Sequence, residues 1–318
     1  MRIRPLAALS TVALATILLA GCAGGGPEET PAPTDAASDL CAAAAPAGEA
    51  SDSVTVEGEL GAESTATFDF PLEVTELERT VVDEGSGDPV EAGEFVQYAL
   101  TAFSAETGEK LGSVGYAESE LLPQQISGDN PLGQVIGCAA PGSRFAATFP
   151  ATDTNPGEVY VFDFLNVVPT AAWGEEQEPV EGMPTVELAE DGEPTITLPD
   201  ADAPTEVELE ALKLGDGPVV ASGDTVLVQY TGVKWSNGEI FDSSWESGAP
   251  ASFATTGVVP GFQQALEGQT VGSQMLVVIP PAAGYGEGEI NETDLVGETL
   301  VFVVDILATQ HPAATPPQ

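Results

Sequence analysis

Histidine is nearly missing from this chain, basic residues are scarce, and cysteine occurs three times in 318 residues. The one histidine, His311, lies in a Pro-rich tail, so neither a His-based catalytic triad nor a His/Cys metal site can be assembled, and no metal or cofactor is expected. Seven Lys and Arg stand against 51 Asp and Glu, a formal charge of −44. Such a surface repels phosphate backbones and anionic headgroups, which excludes nucleic acid as a partner and leaves no electrostatic route to a membrane. The apolar run from Leu6 to Ala20 is too short to span a bilayer. Preceded by Arg2 and Arg4, it has the layout of a signal peptide over residues 1–21.

Leu19-Ala20-Gly21-Cys22 resembles a lipobox, at which bacterial signal peptidases cut ahead of a cysteine that receives lipid; an ordinary secretory signal with an incidental cysteine is the alternative. Residues 22–51, rich in Gly, Pro, Ala and Glu, have little to bury and read as a disordered tether. The expected product is a lipoprotein held at the outer face of the cell membrane by its lipid alone. With Cys22 acylated, Cys41 and Cys138 remain as an even pair in an oxidising compartment, which favours a disulfide over two free thiols. Asn291-Glu292-Thr293 matches a glycosylation sequon, read here as chance.

The chain repeats itself. An offset of 130 aligns Thr55-Val56-Glu57 with Thr185-Val186-Glu187, Gly85 and Gly87 with Gly215 and Gly217, Gly108-Glu109 with Gly238-Glu239, and Pro150 with Pro280. Matches through glycines mark turns shared by two copies. Two domains are therefore expected, 52–170 and 184–309, with a polar linker over 171–183 and a tail over 310–318. Where the second copy has Tyr230, Phe241 and Asp242, the first has Leu100, Leu111 and Gly112. The first copy thus keeps turns and apolar alternation without those polar and aromatic residues.

In the second copy, Val226, Val228 and Tyr230 alternate on one strand face, and Ser236-Asn237-Gly238 turns the chain so that Phe241-Asp242 return alongside. Strands are expected near 205–213, 224–234, 239–244, 273–279 and 299–307. Phe262, Ala265 and Leu266, spaced i, i+3 and i+4 and stopped by Gly268, predict one short helix near 260–267. The run VLVQYTGVKWSNGEIFDSS, followed in order by VVPGFQQALEG, IPP, GYG and TLVFVVDIL, resembles the FKBP-type peptidyl-prolyl cis-trans isomerases. The resemblance implies an α+β fold, two FKBP-like domains each a twisted antiparallel sheet half-wrapped around one short helix, with the first degenerate.

Carried over by position, the resemblance makes Tyr230, Asp242 and Tyr285 catalytic, and Phe241, Phe253, Val258, Val259, Phe262 and Phe302 substrate-binding. The Val259 N–H would hold the substrate carbonyl, and Phe262 stands where the family has a tryptophan floor. Ala251 replaces a larger apolar residue, and Thr293-Asp294 replaces an apolar pair over the cleft. Implied partners are proline-containing peptides, folding proteins and macrolide immunosuppressants. Two rival readings are a non-catalytic binding lipoprotein and a chaperone; the latter needs an apolar flap for which the interval from Phe241 to Phe262 has little room.

Overall fold

The computed structural model describes residues 39–116, 121–153, 156–291 and 294–312, and these are mostly antiparallel sheet with a few short helices. The signal sequence, Cys22 and Thr293 lie outside the described residues. The chain begins with two helical turns, α1 (Leu40–Ala43) and α2 (Glu49–Asp52), and a hairpin of β1 (Thr55–Glu57) and β2 (Thr65–Thr67). The first sheet contains β3 (Glu78–Asp83), β4 (Phe95–Ser104), β5 (Lys110–Val114), β6 (Gln124–Gln125), β7 (Arg144–Phe149) and β8 (Glu158–Val168), with α3 (Pro131–Ile136) ahead of β7. After β9 (Glu175–Glu176) comes a second hairpin, β10 (Thr185–Leu188) and β11 (Pro194–Thr197). The second sheet then takes β12 (Glu208–Leu214), β13 (Thr225–Lys234), β14 (Ile240–Ser243), β15 (Ala251–Ala254), β16 (Gln274–Ile279) and β17 (Leu300–Gln310), with α4 (Pro260–Leu266) ahead of β16.

Strand order is the same in both sheets: β5-β4-β8-β7-β3 in the first and β14-β13-β17-β16-β12 in the second, with β6 and β15 pairing off β4 and β13. Even the irregularities repeat. Register shifts at Val81/Asp83, Gln97/Tyr98 and Ala102/Phe103 recur 130 residues later at Ala211/Lys213, Leu227/Val228 and Gly232/Val233. A bulge bends and twists its strand, so the two sheets share their local bends as well as their order.

Each sheet is covered on both faces. On one face of the second, Val226, Val228, Val304 and Ile306 pack with Phe262, Ala265 and Leu266 of α4. On the other, Val233, Leu276, Val278, Val301 and Val303 pack beneath Val186 and Ile196 of the β10–β11 hairpin. The near-continuous apolar runs of β16 and β17 require this, because their alternate residues face opposite sides. Fully burying each such Val, Leu or Ile contributes on the order of 1.5–3 kcal/mol. The first sheet is built alike, with Val56 and Phe68 of the β1–β2 hairpin region over Ala146, Val159 and Val161.

Two boundaries differ from the sequence expectation. Residues 39–51, expected in the tether, are built onto the first sheet: Leu40 is buried in its core, and Glu78 accepts hydrogen bonds from the Ala50 and Ser51 amides at 2.9 and 3.0 Å. Cys41 is bonded to Cys138, with Cα atoms 4.8 Å apart, which joins α1 to the end of α3. Single apolar anchors in a polar stretch carry no periodicity, so composition alone assigns them to the tether. The linker is likewise not free. Its β9 is the edge strand beside β12, Gly174 donates to the Gly272 carbonyl at 2.9 Å, and the Ala172 amide donates to the buried carboxylate of Asp305 at 2.9 Å.

Candidate active site

β13, β14, the segment ahead of α4 and the last strand converge on one cavity of about 280 Å³ on the α4 face of the second sheet. Tyr230, Asp242, Phe253, Gly257, Val258, Val259, Phe262, Tyr285 and Phe302 line it. Alternation along β13 puts Tyr230 on the same face as Val226 and Val228, and pairing of β13 with β14 sets Gly232 opposite Asp242. The Tyr230 hydroxyl donates to Asp242 Oδ2 at 2.8 Å. The Tyr230 amide donates to the Ser244 hydroxyl at 2.8 Å, which ties the end of β14 back to β13.

The cavity walls are rings. Phe262 and Phe302 meet edge to face at 5.0 Å, and Tyr230 packs against Phe253, Phe262 and Phe302 at 5.7, 6.1 and 6.3 Å. Such tilted and edge contacts are favoured by the ring quadrupoles and hold the walls without filling the space between them. Val259 is the N-cap residue of α4 and Pro260 opens the helix, so α4 starts at the cavity. Phe241 is set one row back, its ring 5.4 Å from that of Phe302.

Gly232 explains this row. A Cβ there would lie 2.7 Å from the Phe302 ring and 2.8 Å from the Phe241 ring, so only a residue without a side chain lets both rings close over the strand. The first sheet has Ala102 at the equivalent position, and there Leu111 replaces Phe241 and is half exposed.

A second cavity, about 520 Å³, lies between the two sheets and has no ionisable side chain in its lining. Only the smaller one joins a carboxylate and two phenols to an apolar interior.

Residues 217–307, which contain this site, match the family model described as FKBP-type peptidyl-prolyl cis-trans isomerase. The chain is 37% identical over 115 residues to a probable FK506-binding protein of Corynebacterium glutamicum, covering 36% of this chain and 97% of that protein. It is 36% identical over 118 residues to an FK506-binding protein of Streptomyces anulatus, covering 36% and 95%. The chain belongs to the FKBP-type peptidyl-prolyl cis-trans isomerases. A further FKBP, the 22 kDa isomerase of Escherichia coli, is 39% identical over 101 residues, covering 32% of this chain and 48% of that one.

The structure brings eight of the nine residues expected at the FKBP site to the cavity; the ninth, Phe241, is not among its lining residues and meets Phe302 edge to face. Gly257, in the turn Thr255–Gly257, joins them; a residue without a side chain leaves no sequence signal of a pocket wall. Tyr285 stands at the rim, 52% exposed. Asp294 does not reach the cavity: its carboxylate accepts from Asn291 Nδ2 at 2.9 Å and from the Val296 amide at 3.0 Å, closing its own loop. Burial, reinforced by the hydrogen bond to Asp242 and its charge, holds the Tyr230 phenol above the usual range. Tyr230 therefore keeps its proton at neutral pH and serves as a donor. Among the described residues no cluster of His, Cys, Asp or Glu could hold a metal ion, and no helix is long and apolar enough to cross a membrane.

Proposed function

We propose that residues 184–309 isomerise X–Pro bonds of exported proteins, and that residues 52–170 are a second FKBP-like copy from which this catalytic set has been lost. The observation that carries the reading is the Tyr230–Asp242 hydrogen bond at the mouth of a cavity walled by Tyr230, Phe253, Phe262 and Phe302. The shared strand order and the three repeated bulges support duplication.

The chemistry needs no nucleophile. An X–Pro amide rotates through a twisted state about 18–20 kcal/mol above the planar forms. Twisting breaks amide resonance and reduces the carbonyl's polarity, so a dry aromatic cavity disfavours the planar ground state relative to the twisted one. The Val259 N–H grips the substrate carbonyl during rotation, and the Tyr285 hydroxyl adds a second contact at the rim. Asp242, oriented by Tyr230, fixes the polar edge of the site. Each tenfold acceleration takes about 1.4 kcal/mol of such differential stabilisation, so a few contacts suffice. FK506-type macrolides, which the names of the Corynebacterium and Streptomyces relatives give as their ligand, would occupy the same cavity.

A lipid on Cys22 would hold the protein at the outer face of the cell membrane, the tether giving it reach toward emerging chains. Mass spectrometry of the membrane fraction should find a lipidated peptide beginning at Cys22; a mature chain cut elsewhere overturns the anchor. The activity itself is tested with a protease-free prolyl-peptide assay on the full-length protein. Turnover inhibited by FK506 is expected. Peptide binding without turnover would instead establish a binding lipoprotein.

A further inference from the structure

We propose that the first sheet carries its own binding pocket, for a proline or aliphatic residue of an extended chain flanked by lysine or arginine, which it holds without isomerising. A cavity of about 210 Å³ lies there among Tyr98, Leu100, Leu132, Phe149, Tyr160 and Phe162. It occupies the place of the catalytic cavity: Leu100 and Leu132 lie 130 residues before Tyr230 and Phe262, and Tyr160 pairs with Ala102 as Phe302 pairs with Gly232.

The aromatic residues have moved rather than vanished. At Tyr98, Phe149 and Phe162 the second sheet has Val228, Ile279 and Val304, so the first sheet builds its ring walls from positions that are aliphatic in the other. Tyr98 and Phe162 stack at 5.1 Å and 10°, and Phe149 meets Tyr160 edge-on at 5.2 Å. Tyr98, Leu100, Leu132, Phe149 and Tyr160 are all left partly exposed around this one cavity. Aromatic-lined grooves of this kind suit the preformed, low-entropy backbone of proline-containing segments.

Charge selects the flanks. Tyr160 donates to the Glu158 carboxylate at 2.5 Å beside the cavity, within a chain of formal charge −44. The described basic residues of this half are all engaged: Arg79 with the Val135 and Ile136 carbonyls, Arg144 with Asp163, Lys110 with Glu63. A cationic segment therefore meets an acidic surface with little internal competition. Turnover is not expected there, because Leu100 and Gly112 stand where the other sheet has the hydroxyl of Tyr230 and the carboxylate of Asp242.

The test is photo-crosslinking of the full-length protein with the peptide Lys-Lys-Ala-photoleucine-Pro-Ala-Lys-Lys, with adducts mapped by mass spectrometry. Adducts are expected within 98–100, 131–135 or 158–162, in addition to those around 230–302. Leu132→Glu and, separately, Tyr160→Ser should lower the first set at least tenfold at unchanged circular dichroism, and a probe with glutamates in place of lysines should lower it as much. Adducts confined to the second sheet, or first-sheet adducts undiminished by both variants, would overturn the proposal. If both variants unfold, the wild-type map and the glutamate probe decide. Turnover does not enter this readout, so the result is independent of whether the second sheet is an active isomerase.

Discussion

Tyr230 donates its hydroxyl proton to Asp242 across 2.8 Å, joining the middle of β13 to β14 at the mouth of the aromatic cavity. A hydrogen bond to a charged acceptor contributes about 1.5–3 kcal/mol. If part of it orients Asp242 for the twisted amide, Asp242→Leu and Tyr230→Phe should each lower kcat/KM about 10- to 100-fold. Neither removes a core apolar side chain, so far-UV circular dichroism should stay native. Undiminished turnover in a folded Asp242→Leu/Tyr285→Phe protein would overturn the site.

Gly232→Ala forces a methyl group against the Phe302 and Phe241 rings. Overpacking of this kind costs about 1–3 kcal/mol. The denaturation midpoint should fall and kcat/KM should fall with it, because Phe302 is displaced into the cavity. Urea titration and the prolyl-peptide assay measure both. A variant as stable and active as the parent would show that the strand yields instead of the rings.

The Cys41–Cys138 bond closes a loop of 97 residues. In the chain-entropy model such a closure stabilises by about 4–5 kcal/mol. Cys138→Ser, or reduction before unfolding, should lower the stability of the first sheet by a large part of that amount. Thiol titration of the unfolded, unreduced chain should find neither cysteine free.

Asp305 is buried, and desolvation raises its carboxyl pKa above the usual range despite hydrogen bonds from Ala172 and Gln274. A carboxyl whose folded pKa is raised contributes stability below its unfolded pKa, about 3.9, and loses it as pH rises through the folded value. Asp305→Asn cannot ionise. Its stability relative to the parent should therefore improve as pH climbs from about 3.5 to 7, as measured by urea midpoints at each pH. A gap that is flat with pH would remove the assignment.

The main strands were legible because their turns were. Gly108 and Gly238 end equivalent loops, and the apolar alternation between such marks placed β13, β16, β17 and α4 within a few residues. Eight cavity residues were legible through the resemblance to the FKBP motif, which carries them over by position. What was missed lacks a period. β9 is two exposed glutamates recognised as a strand only through their pairing with β12, and α1 depends on one buried leucine and one cysteine. The offset of 130 shows only that Tyr230, Phe241 and Asp242 have no like residues in the first copy, and it is blind to a cavity lined from other positions, such as the one that Tyr98, Phe149 and Phe162 line.

The segment between the two sheets belongs structurally to the second. Ala172 supplies a donor to Asp305, Lys213 reaches back to the Ala172 carbonyl at 3.0 Å, and Val180 donates to the buried Glu210 at 2.7 Å. A fragment trimmed to begin at residue 184 would strip the Ala172 and Val180 donors from Asp305 and Glu210. The half that matches the FKBP family model is therefore not a portable cassette from residue 184 onward. A transplant that keeps these partners has to begin upstream of Ala172.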